Sequence, residues 1–163
     1  MKNLLLFFLL LPTVALSQDL SKLELQDVSG NKFIMKDHLN NDATIILFWA
    51  TWCIPCIKEF PAIQNLRQKY PQKNIKVITI SQDTPRSLVK VKSFVRSHSY
   101  DFTYLLDPNK EVSSKLLINT VPFSMLIDID GKVKYSHSGY RKGDEEELEK
   151  QMIKLWKERE KKD

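Results

Sequence analysis

The stretch Thr44-Ile45-Ile46-Leu47-Phe48-Trp49-Ala50-Thr51-Trp52-Cys53-Ile54-Pro55-Cys56 runs from a continuous apolar segment, largely β-branched and aromatic, into a pair of cysteines. An apolar run without polar alternation reads as a strand buried on both faces, the kind found in the middle of a sheet covered by helices. From Cys53 to Tyr70, the residues Ile57, Phe60, Ile63, Leu66 and Tyr70 recur every three or four positions, which predicts a helix with one apolar face. Ile75 to Ile80 is a second buried-strand run. Strand, helix and strand of this length make a right-handed βαβ unit with a parallel pair.

Working outward, Leu23 to Val28 and Lys32 to Met35, joined by Ser29-Gly30-Asn31, predict a β-hairpin at the entrance to the domain. A second helix is expected from Thr84 as cap and Pro85 as first helical residue, with Leu88, Val91, Phe94 and Val95 as its buried stripe. Phe102 to Leu105 is a short strand candidate, and Lys110 to Leu117 a brief helix. Phe123 to Ile129 and Lys132 to His137 are β-rich runs around Asp130-Gly131, a strong hairpin signal. A closing helix from about Asp144 has acids in its first turn and Leu148, Met152, Leu155 and Trp156 on its inner face. This order predicts an α/β domain: a mixed central sheet with helices on both faces and an N-terminal hairpin extension.

The chain has 163 residues, 42% hydrophobic and 28% charged, with two Cys and a formal net charge of +5. That composition excludes collagen-like, wholly disordered and disulfide-knotted chains. The basic surplus is scattered among acids rather than gathered in a block, so no nucleic-acid partner is expected. Residues 1–17 read as a secretory signal peptide: Lys2, the apolar run Leu4 to Leu11, Pro12, and a small-x-small pattern at Ala15-Leu16-Ser17. The alternative is an uncleaved anchor, although the run falls short of the roughly 20 residues a span needs. The domain is then 18–163, exported, and periplasmic or otherwise extracytoplasmic.

The chemistry resides in Cys53-Ile54-Pro55-Cys56. Two thiols two residues apart at a helix start lie within reach of a disulfide. The unpaired N–H groups of the first turn stabilise a thiolate on the first sulfur. The second can attack a mixed disulfide formed on the first, which makes capture and release possible. Half of a zinc site is the competing reading, but there is no second Cys pair, and His38, His98 and His137 have no ligand spacing. A purely structural disulfide is another, although so short a loop gains little from closure.

The run Phe48 to Cys56, with Glu59 and Pro61 following in the form Trp-Cys-x-Pro-Cys-x-x-Glu-x-Pro, resembles the thioredoxin-fold active site. Together with the leader it is similar to the TlpA/ResA branch of extracytoplasmic thiol-disulfide oxidoreductases, over roughly residues 22 to 157. The resemblance implies a thioredoxin-like fold and a redox-active pair, Cys53 and Cys56, with no other cofactor and no metal. It implies that Val121-Pro122 is a cis-proline loop whose Val121 backbone pairs with the substrate strand; read alone, Pro122 is equally a trans proline before a strand. It assigns Glu59 to tuning the thiols, where the bland alternative is a solvated helix glutamate. Cytoplasmic thioredoxins carry a buried Asp where this chain has Leu47, which leaves Glu59 as the proton-handling group. Trp52 is expected on the docking surface and Trp49 in the core. The implied partners are disulfide-containing exported proteins, apocytochrome c for example, and a membrane thiol-electron donor; a monomer is expected. A disulfide-forming oxidase and a redox-inert binding or assembly module remain alternatives. A peroxidase would want a lone Cys in a Pro-x-x-x-Thr/Ser-x-x-Cys context, which is missing.

Overall fold

The computed structural model describes residues 19–161, so the leader expected at 1–17 lies outside the described residues. The strands are β1 Glu24–Asp27, β2 Lys32–Ile34, β3 Ala43–Trp49, β4 Ile75–Ser81, β5 Thr103–Leu106, β6 Phe123–Ile127 and β7 Val133–Ser138. The α-helices are α1 Ile54–Gln68, α2 Leu88–Ser97, α3 Glu111–Lys115 and α4 Asp144–Glu160. The strands form one seven-stranded sheet in the order β2-β1-β5-β4-β3-β6-β7. β3 pairs parallel with β4, and β4 with β5, while β6 lies antiparallel on the other side of β3.

All seven residues of β3 are buried, because both faces of the strand are covered. Ile45, Leu47 and Trp49 point toward a core shared with Phe60 and Ile63 of α1, Val91 of α2, and Leu148, Met152 and Trp156 of α4. Ile46 and Phe48 point to the opposite core, closed by Val112 of α3 and by Leu20, Phe33 and Met35. The period of two along a strand therefore divides one apolar run between two cores.

The hairpin β1–β2 forms as expected and extends the edge of the main sheet, since β1 pairs antiparallel with β5. Three other local expectations shift. Pro85 opens a 3-10 turn, Pro85–Ser87, ahead of α2, and the Thr84 side chain makes no cap bond. Of the stripe expected on α2, Val91 alone is fully buried. β6 stops at Ile127 instead of Ile129, because Oδ1 of Asp128 accepts from the backbone N–H of Asp130 and Lys132 and bends the chain early. The turn is pinned from outside as well: the Leu20 N–H donates to the carbonyl of Gly131 at 2.8 Å. A Cβ at Gly131 would sit 2.9 Å from the Ser21 nitrogen, and its φ is +80°.

Candidate active site

β3 and β4 run parallel and end side by side, and the chain leaves β3 through Ala50-Thr51-Trp52 into α1. In open α/β sheets the crevice beyond the carboxyl ends of such strands is the usual ligand site. The Cys53 N–H donates to the Ala50 carbonyl, making a tight turn, and Cys53 becomes the N-cap of α1. Its Sγ accepts from the Cys56 backbone N–H at 3.3 Å, so the sulfur lies against the positive end of the helix. Pro55, in the first turn, lacks an N–H that would have no intrahelical partner anyway.

Cys53 and Cys56 form a disulfide, with Cα atoms 5.3 Å apart. The pair is therefore joined, as the spacing predicts. Exposure is narrower than a fully open thiol would have: Cys53 retains 4% and Cys56 none. The asymmetry still distinguishes them, because only Cys53 reaches the surface at all. Trp52 and Ile54 flank it at 65% and 69% exposure, an apolar rim around a small opening. Trp49 is core, edge-on to Phe60 at 5.0 Å.

Glu59 lies one helical turn beyond Cys56, so both fall on the inner face of α1. It is 4% exposed and, among the described residues, forms no hydrogen bond or ion pair. Burial raises its pKa to about 8, with the charges of Asp144 and Glu145 adding to the shift. At neutral pH Glu59 is then mostly the uncharged acid. In that state it exerts little repulsion on a nearby thiolate and can exchange a proton with the dithiol. Leu47 is fully buried in the core cluster that includes both cysteines.

Val121-Pro122 is cis, as the resemblance implies. β6 pairs with β3 up to Phe48↔Phe123, so the cis-proline loop enters the sheet beside the end of β3 that leads to Cys53. The Gly139 N–H donates to the Pro122 carbonyl at 2.8 Å, whereas the backbone N–H and C=O of half-buried Val121 have no partner among the described residues.

The main residue that sequence reading missed is Asp83, just past β4. Its carboxylate accepts from the Thr51 N–H at 2.8 Å, the Thr51 hydroxyl at 2.6 Å and the Ser81 hydroxyl at 2.9 Å. Asp83 thereby holds the loop that delivers Cys53. Nothing in Gln82-Asp83-Thr84-Pro85 marks it except helix-start punctuation. Tyr140, Asp144 and Glu145, which surround Glu59 electrostatically, read in the sequence only as the lead-in to a helix. Among the described residues no three His, Cys, Asp or Glu side chains converge as a metal site, and no helix is long and apolar enough to cross a membrane.

Residues 16–136 match the model of the AhpC/TSA family. The chain is 33% identical over 129 residues to a thiol-disulfide oxidoreductase ResA of Bacillus thuringiensis, covering 79% of this chain and 72% of that one. It is 35% identical over 107 residues to a ResA of Bacillus anthracis, 66% of this chain and 60% of the relative, so the match there spans less than two thirds of the relative's length. A solved structure from Chlorobium tepidum, assigned as a thiol:disulfide interchange protein DsbE, superposes with TM-score 0.75 at 26% identity, covering 86% of this chain and 96% of that one.

Proposed function

This chain belongs to the AhpC/TSA family and has the thioredoxin-like fold, and from that premise we propose that it is a thiol-disulfide oxidoreductase working through Cys53 and Cys56. The observation that carries the proposal is the Cys53–Cys56 disulfide at the N-terminus of α1, where Cys53 keeps a sliver of exposure, 4%, and Cys56 none. ResA relatives at 33% and 35% identity support it.

In the direction of substrate reduction, the Cys53 thiolate attacks one sulfur of a partner disulfide. A Cys53–partner disulfide forms and one partner thiolate leaves. Cys56 then attacks the Cys53 sulfur, closing the Cys53–Cys56 disulfide and releasing the second partner thiol. Two electrons pass to the partner, and the Cys56 proton, by way of Glu59, ends on the second partner sulfur. The first partner thiolate takes its proton from solvent, replacing the one that Cys53 gave up on becoming a thiolate; a thiol reductant reverses the sequence. The fraction of Glu59 that is ionised accepts the Cys56 proton during this attack. Its pKa of about 8 lies close to a free thiol's, about 8.5, so the transfer is nearly level in energy. The partner's extended segment pairs with the open N–H and C=O of Val121, beside Pro122, and lies against Trp52.

Reduction is favoured over oxidation because Ile54-Pro55 places no cation between the sulfurs to stabilise a thiolate. The substrates are disulfide-bearing exported proteins, apocytochrome c among them, and a membrane thiol carrier supplies the electrons. The apolar leader at 1–17 is the ground for placing this exchange outside the cytoplasm.

A Cys53→Ser variant should have no turnover, and a Cys56→Ser variant should accumulate mixed disulfides through Cys53. Equal trapping by both variants contradicts the assigned order. A dithiol potential near thioredoxin's, about −270 mV, fits a reductase, and one near about −120 mV would make the protein an oxidase. Thiol alkylation in cells that finds only the disulfide would leave an inert module.

A further inference from the structure

A groove of about 540 Å³ lies between the first half of α1 and the turn into α4. Its lining includes Pro55, between the two cysteines, together with Lys58, Tyr140, Arg141 and Lys142; Glu145 is the one acid among the lining residues. All three cations are exposed, and none forms a side-chain ion pair or hydrogen bond among the described residues. Arg141 is near enough to Asp144 to contribute to lowering its pKa without forming an ion pair.

The acids of this corner are already engaged. Oε2 of Glu145 accepts from the Tyr140 hydroxyl at 3.0 Å and the Gly143 N–H at 2.9 Å. Oδ2 of Asp144 accepts from the Arg141 N–H at 2.7 Å and lies 3.1 Å from His137 Nε2. Glu59, next to Lys58 in sequence, is mostly uncharged at neutral pH. Three cations thus stand against the charges of Glu145 and Asp144, which leaves a net positive face within one helical turn of Cys56.

We propose that this groove docks an acidic segment of the polypeptide whose disulfide is exchanged, its carboxylates meeting Lys58, Arg141 and Lys142. The inference rests on the dithiol-exchange reading and adds a substrate class to it. The occupant is a polypeptide because the lining includes Pro55 of the dithiol motif: a chain joined through sulfur to Cys53 has the cationic wall alongside it. Charges at such a rim act mainly on the association rate and on partner choice, and basic segments are rejected by the same face.

The test uses the full chain in its dithiol form and two peptides of equal length. Each holds one internal disulfide, flanked by Asp and Glu in one and by Lys in the other; neutral hydroxyethyl disulfide is the control. The acidic peptide should be reduced with about tenfold higher kcat/KM at low ionic strength, the size expected from a few solvent-exposed charge pairs. That preference should shrink as salt rises. It should reverse in the triple variant Lys58→Glu, Arg141→Glu, Lys142→Glu and diminish in the milder Lys58→Gln, Lys142→Gln pair, with hydroxyethyl disulfide reduced at an unchanged rate in both. Equal kcat/KM for the two peptides with the unsubstituted chain overturns the docking proposal, as does a preference indifferent to salt or to both variants. Failure to reduce hydroxyethyl disulfide at all is a different result, which removes the oxidoreductase reading itself.

Discussion

Glu59 keeps its proton because its surroundings all disfavour the charge: it is buried, unpartnered, and faces the carboxylates of Asp144 and Glu145. The native carboxyl titrates at about 8, while an unfolded one titrates near 4.5. Between those values the folded chain binds a proton that the unfolded chain has released, so stability falls as pH rises from about 4.5 to about 8 and levels off above. Denaturant titrations at pH 5 and pH 8 should therefore show a loss of a few kcal/mol, about 1.4 kcal/mol for each pH unit crossed, which Glu59→Gln largely abolishes. The same substitution should slow dithiol exchange by roughly 10²-fold, the lower end of general acid–base contributions, and flatten the pH–rate profile. An unchanged profile would mean that Glu59 is only a buried residue. The residue's type and spacing were legible in the sequence; its ionisation was not, because the burial that chiefly sets it, and the carboxylates that add to it, come from tertiary packing.

Between β3 and α1 the decisive feature is the tie to Asp83. Three donated hydrogen bonds converge on that buried carboxylate, two of them from Thr51. Asp83→Ala should cost about 1–3 kcal/mol, because the Thr51 and Ser81 donors lose a charged acceptor in a site largely closed to water. It should also lower the exchange rate as the Cys53 loop loosens; Thr51→Val tests the hydroxyl's share. In the β6–β7 turn, Gly131→Ala meets both the Ser21 backbone and a positive φ. Its melting temperature should fall by several degrees, the shift that about 1–2 kcal/mol produces in a domain near this size. The positions of the strands and helices were readable from apolar periodicity because burial imposes it. The early end of β6 was not, since Asp128 competes for the backbone through its own side chain.

Across the whole molecule, α4 closes the core that holds the cysteines. The Trp156 indole N–H donates to the Asp42 carbonyl at 3.0 Å and its ring stands edge-on to Tyr70 at 5.0 Å. Tyr70 donates to Glu149, which also pairs with Lys69 at 2.6 Å. Trp156→Ala should remove about 3–5 kcal/mol, the usual cost of a vacated aromatic site, read as an earlier cooperative unfolding transition. The inner face of α4 was evident in the sequence, but its partners were not. By itself, the sequence determined the central βαβ unit and the dithiol at its helix start, because periodicity and a four-residue motif act over short stretches of chain. Only the tertiary structure decided that Asp83 holds the Cys53 loop, that burial, with acids from α4, keeps Glu59 protonated and that a cationic groove borders the site. Each of these depends on groups far apart in sequence meeting at one end of the sheet, where their charges and hydrogen bonds act through space.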